Sequence, residues 1–182
     1  LARSLTDLTV IATASRPETA DWARQMGAHH VVDHSKSLPS EIAALGIGDP
    51  AFVFATTQTQ RHLEEIAALI APQGRFALID EPDPIDLKLF KSKSVSIHLE
   101  LMYTRSLFGT ADMGEQGKLL AEVARLIDAG TLRTTMTERV AGINAASLRR
   151  VHAQLESGTT RGKIVLEGFN APSGVSPANE RT

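Results

Sequence analysis

Apolar positions along this chain recur in two rhythms that take turns. Leu8 to Ala14 alternates and is rich in Val, Ile and Thr, which predicts a strand. Pro17 then opens a helix, where its missing N–H costs nothing, and Trp22, Ala23 and Met26 share one helical face before Gly27 closes it. Val31 and Val32 mark a second strand, and Pro39 to Leu45 a short helix ending near Gly46. Ala51 to Ala55 is wholly apolar, the pattern of a strand covered on both faces. Leu63, Ile66, Ala67 and Ile70 form a helical stripe. Pro72-Gln73-Gly74 is a turn, and Arg75 to Asp80 a further strand.

This alternation of strand and helix predicts an α/β fold with a parallel sheet and helices on both faces. After Pro82 and Pro84 the spacing predicts a short helix over Ile85 to Phe90 and a strand over Val95 to Leu101. Tyr103 to Gly114 reads as loop. Leu119, Leu120, Val123, Leu126 and Ile127 predict a long amphipathic helix stopped by Gly130. A Thr-rich strand over Leu132 to Val140, a helix capped by Asn144 and a last strand over Ile164 to Leu166 follow. Asn170 to Thr182 is polar, holds two prolines, and is expected to be disordered.

Composition narrows the class. The 182 residues suffice for a substantial core. A formal net charge of -2 gives no electrostatic reason to expect nucleic-acid binding. No apolar run has the length of a membrane span, and Leu1 to Thr6 is too short and polar for a signal peptide, so the cytoplasm is the expected location. The chain has no Cys, which excludes disulfides and thiolate metal sites within it.

Candidate chemistry sits where strands end. Ser15 and Arg16 follow the first strand and precede a helix N-terminus, a place that favours anions; Arg16 can pair with a phosphate and Ser15 donate to it. Ser15-Arg16-Pro17-Glu18 equally fits an S-x-x-E capping box, which needs no ligand. Asp33-His34 ends the next strand; Asp33 reads as a solvated turn, while His34 suits an adenosine pocket or a plain turn equally. Thr56 and Thr57, with Gln58, follow the apolar strand and suit either a cofactor crossing the strand ends or a helix cap. Asp80-Glu81 is anionic and offers at most backbone contacts to a phosphate group. None of the six His residues falls in an H-E-x-x-H pair or a ligand cluster, and no Walker loop or G-x-S-x-G is present. Arg161-Gly162-Lys163, before the last strand, reads as a turn, with a basic lip on a cofactor cleft as the alternative.

Taken in order, L-A-R-S-L, V-I-A-T-A-S-R-P-E-T, M-G-A-H-H-V-V-D-H, I-A-P-Q-G-R-F-A-L-I-D and L-R-R-V-H-A-Q-L-E-S-G-T-T-R-G-K-I-V-L-E-G resemble the C-terminal half of medium-chain dehydrogenase/reductases. The quinone oxidoreductases and zinc-type alcohol dehydrogenase-like proteins of that family are the nearest in pattern. The resemblance covers about Leu1 to Phe169. It implies a Rossmann-type, doubly wound parallel sheet over 1–130, lacking its first strand and glycine loop, and a return segment of the catalytic domain over 131–169. It implies NADPH as cofactor, with Ser15 and Arg16 at the 2′-phosphate turn, His34 beside the adenosine, and Thr56 and Thr57 in the loop under the cofactor. Ile79 and Asp80, with Leu101 and Met102, would lie near the nicotinamide and substrate. Thr19 stands where many members carry Lys, so the phosphate depends on Arg16.

The same resemblance implies hydride transfer to a quinone, enone or related carbonyl, and a homodimer paired through the strand at 95–101. Zinc ligands, where members have them, lie upstream, so zinc in a longer parent stays open. The chain alone, without glycine loop or substrate side, is expected to be inactive. Three rivals stay open: a zinc-dependent alcohol dehydrogenase, a non-catalytic α/β interaction module and, more weakly, a methyltransferase.

Overall fold

Short, mostly apolar runs become short parallel strands, and among the described residues all but the last strand are followed by a helix. The computed structural model describes residues 1–169. They divide into two compact units, one from Leu1 to Leu132 and one starting at Arg133. The tail expected to be disordered, Asn170 to Thr182, lies outside the described residues.

The first unit runs α1 (Ala2–Leu5), β1 (Ile11–Thr13), α2 (Pro17–Gln25), β2 (His30–Val32), α3 (Leu38–Ala44), β3 (Phe52–Ala55), α4 (Thr59–Leu69), β4 (Arg75–Leu78), α5 (Lys88–Lys91), β5 (Ser96–Leu99), α6 (Thr104–Phe108) and α7 (Glu115–Asp128). Every strand pair is parallel. β1 pairs with β2, Ile11 opposite His30. β4 lies between β3 and β5, with Arg75 opposite Phe52 on one side and Ser96 on the other. No ladder joins β1 to β3, so the sheet is interrupted between them.

Two apolar clusters hold this unit. Leu63, Ile66, Ala67 and Ile70 of α4 and its end pack on Phe76, Leu78 and Phe90, with the Phe76 and Phe90 rings stacked 5.6 Å apart. Val32, Leu38, Ile42 and Leu69 form the second. The helical stripe read from the sequence is therefore the buried face of α4. Lys93 closes the turn before β5 by donating to the carbonyls of Ala68 and Ile70 at 2.6 and 2.7 Å.

In the second unit β6 (Met136–Ala141) and β7 (Lys163–Glu167) pair in parallel around α8 (Ala145–Glu156), a βαβ step. Asn144 caps α8, accepting from the Ser147 N–H at 2.9 Å. Gly162, in the Arg161-Gly162-Lys163 turn, has φ +65°, and a Cβ there would stand 2.3 Å from the Thr135 carbonyl oxygen.

Four expectations are corrected. The Ser15–Glu18 capping box does not form: Pro17 at the first helical position makes Arg16 the N-cap, so Ser15 lies one residue outside. Instead the Thr19 hydroxyl donates to the Arg16 carbonyl at 2.9 Å. Tyr103 to Gly114 is not all loop, because α6 forms and Gly109 ends it in the left-handed region, φ 56°. The helix expected over Ile85 to Phe90 starts only at Lys88. β3 is covered on one face: Val53 and Ala55 pack on the core, while Phe52 and Phe54 stay 55% and 63% exposed.

Candidate functional site

The strands of a parallel sheet all end on one side, and the polar segments that follow gather there. In the first unit a cavity of about 440 Å³ takes its walls from both sheets. Its polar lining comes from Thr13 at the end of β1, His34 past β2, and Thr56 and Thr57 past β3. Arg61 and His62 line it from the first turn of α4.

Hydrogen bonds fix much of this wall. The His34 Nδ1 lies 3.2 Å from the Thr13 hydroxyl, and its ring sits 6.2 Å from the ring of His62. His62 pairs with Glu65 at 2.8 Å, and the other oxygen of Glu65 accepts from the Leu38 N–H at 2.9 Å. The bond from His62 holds the Glu65 carboxyl below the usual range, and the Leu38 amide adds to it. Asp33 is held low by the side chain and backbone of Ser35, so it is a turn-forming acid, as its place in the sequence implies.

Asp80 does something sequence alone did not indicate. Its carboxylate reaches from the end of β4 to the N-terminus of α4, accepting from the Thr59 N–H at 2.9 Å and from the Thr59 hydroxyl. Thr59 is 1% exposed. These two bonds lower the Asp80 pKa from its ordinary value. α4 is thus capped by an acid from a neighbouring strand, placed where a helix favours negative charge. Its own N-cap, Gln58, sits in the left-handed region, φ 58°, and supplies no side-chain cap. The reading of Thr56 or Thr57 as cap residues is therefore not realised, and both stay exposed at the cavity.

The structure brings His34, Thr56 and Thr57 into one cavity. Ser15 and Arg16 lie exposed past the end of β1 and do not line it. Among the described residues Arg16 takes part in no ion pair, so its guanidinium is uncommitted. Ile79 is 47% exposed past β4, and Leu101 and Met102 are 51% and 65% exposed past β5. Thr13, Arg61 and His62 are cavity residues that the sequence reading passed over. The signal for the last two was a helix beginning directly after Gln58.

Among the described residues no group of three His, Cys, Asp or Glu side chains is placed to hold a metal ion. No described helix is long and apolar enough to cross a membrane.

Residues 26–166 match the family model for zinc-binding dehydrogenases. The chain belongs to this family, within the medium-chain dehydrogenase/reductases, and its first unit is a Rossmann-type domain without a first strand. A zinc-type alcohol dehydrogenase-like protein of Staphylococcus epidermidis is 33% identical over 160 residues, which are 87% of this chain and 48% of that protein. A crystal structure of a provisionally named zinc-dependent alcohol dehydrogenase from Rhizobium etli CFN 42 is 65% identical, with a TM-score of 0.88, and covers 93% of this chain and 50% of that one. A mycobacterial protein solved with NADPH shares the fold at 23% identity, with a TM-score of 0.71 over 91% of this chain and 50% of that one. The chain thus spans about half the length of the relatives it matches.

Proposed function

We propose that this chain is the cofactor-side half of an oxidoreductase that moves a hydride between NADPH and a quinone, enone or related carbonyl. The observation that carries this reading is the shared cavity: Thr13 at the end of β1, His34 past β2, and Thr56 and Thr57 past β3 face one volume at the strand ends. Open α/β sheets bind nucleotides at that position. The bound nicotinamide would supply the hydride, and the protein would supply binding and orientation.

The residues fit a phosphorylated ribose. Arg16 is an uncommitted cation directly after β1, where dinucleotide folds meet the adenosine ribose, and no carboxylate occupies the turn. Ser15 beside it adds a hydroxyl donor. His34 and the Thr56-Thr57 segment would contact the adenosine side, and the exposed Ile79, Leu101 and Met102 would form an apolar surface toward nicotinamide and substrate. Asp80 would act through Thr59, shaping the Thr56–Gln58 turn. The described residues offer no donor set for zinc.

The reading is tested by titrating the full-length protein with NADPH and NADH and following nicotinamide fluorescence. Tighter binding of NADPH, with reduction of quinones or enones, is expected. Absence of nucleotide binding favours a non-catalytic module, and stoichiometric zinc together with alcohol oxidation favours a zinc-dependent alcohol dehydrogenase.

A further inference from the structure

His62 enters the cavity from the first turn of α4, and one neighbour fixes where its proton sits. Its Nδ1 lies 2.8 Å from one carboxylate oxygen of Glu65, a turn further along the helix. The other oxygen of Glu65 accepts from the Leu38 N–H, at the start of α3, at 2.9 Å. The bonds from His62 and Leu38 hold the Glu65 carboxyl below the usual range, so it is ionised and can only accept. Nδ1 must therefore donate. A neutral imidazole carries one N–H, which leaves Nε2 as a bare acceptor.

That acceptor is open. Among the described residues Nε2 of His62 has no hydrogen-bond partner, and no side-chain nitrogen is buried without one, so Nε2 reaches solvent. The His34 ring stands 6.2 Å away at 60°, and the two rings form an open corner. A flat base laid on one of them turns its edge to the other. The rest of the polar wall has no acceptor of fixed polarity. The hydroxyls of Thr13, Thr56 and Thr57 donate or accept as required and cannot tell an amino group from a carbonyl. His34 Nδ1 meets the Thr13 hydroxyl, which suits either tautomer. Arg61 only donates, which matches ring nitrogens that all purines carry.

We propose that His62 reads the base of the nucleotide: its Nε2 accepts from the 6-amino group of adenine, and Glu65 is the positioning residue that fixes the tautomer. This role rests on the cavity being a nucleotide site, as proposed above, and adds the identity of the base to it. A 6-oxo purine would set its carbonyl oxygen against the Nε2 lone pair, acceptor against acceptor, and forfeit the bond. Glu65→Gln reverses the polarity while keeping the shape. The Leu38 N–H pins the amide oxygen, so the amide N–H donates to Nδ1. The His62 proton then sits on Nε2, which becomes a donor matched to a 6-oxo purine.

The test is titration of the full-length protein with NADPH and with its hypoxanthine analogue, in which a carbonyl replaces the 6-amino group, following nicotinamide fluorescence. At about pH 8, above the ordinary imidazole range, NADPH is expected to bind about tenfold more tightly. The preference is expected to invert in Glu65→Gln and to vanish in His62→Phe, which keeps a ring and loses both nitrogens; if Glu65→Gln does not fold, His62→Phe decides alone. Equal binding of the two dinucleotides by the parent would overturn the role of His62 and leave the cofactor site standing. An adenine preference that survives the substitutions would overturn it as well. Binding of neither dinucleotide would remove the cofactor site and the base reading together.

Discussion

Arg16 and Asp80 show how differently two charged residues past strand ends can be used. Arg16 has no acid partner among the described residues, so its charge is free for a ligand. A charge-assisted bond to a phosphate is worth about 1.5–3 kcal/mol, or roughly 10- to 100-fold in affinity. Arg16→Ala is expected to weaken NADPH binding by that factor and leave NADH unchanged; equal losses for the two would remove its phosphate role. Asp80 is committed to the buried Thr59. Thr59→Val deletes a bond to a charged group and is expected to lower stability by about 1.5–3 kcal/mol in chemical denaturation. The Asp80 pKa is lowered in the folded protein, so its stabilisation is complete above the unfolded value near 3.9 and fades as pH falls through the lower folded value. The difference in melting temperature between the parent chain and Asp80→Asn is therefore expected to be full at neutral pH and to shrink below about pH 4. A difference that stays constant through that range would contradict the pairing.

At the scale of elements, the sequence was most legible where one physical signal dominated. The α4 stripe, the apolar β3 and β4, and the Asn144 cap are local patterns, and each appears where the pattern put it. The cap prediction has a direct check: Asn144→Ala is expected to cost α8 about 1 kcal/mol in the unfolding free energy. Gly162→Ala should cost more, because a left-handed φ and a 2.3 Å approach to the Thr135 oxygen leave no room for a methyl group. If Gly162→Ala leaves stability unchanged, the turn joining α8 to β7 is not as described. The misread elements had competing signals. Ser15 lost the cap because Pro17 prefers the first helical position. α6 hid because it is only five residues long, too short to show a helical period, although Gly109 was a readable stop. The Asp80–Thr59 cap spans 21 residues of sequence, and no local pattern marks a partner brought in from another strand.

At the scale of the molecule, the parallel order of strands was read from alternation, but the interruption between β1 and β3 belongs to tertiary structure. The sequence did place His34, Thr56 and Thr57 past strand ends, and the parallel fold then brings them to one cavity. Thr13 and His62 escaped notice because their relevance depends on which strands are neighbours. β5 leaves its outer edge free among the described residues, and an exposed edge is a template for pairing. We propose that the full-length protein dimerises across that edge; Ile97→Pro is then expected to give a monomer in sedimentation that retains its far-ultraviolet dichroism, and a monomeric parent or an unchanged dimer would contradict this. One measurement reaches the site at the strand ends directly. Nucleotide titration of the full-length protein, parent and Arg16→Ala side by side, is expected to give at least about tenfold tighter binding of NADPH than NADH in the parent, and no preference in the variant. No nucleotide binding by the parent, or a preference that survives the substitution, would contradict the account.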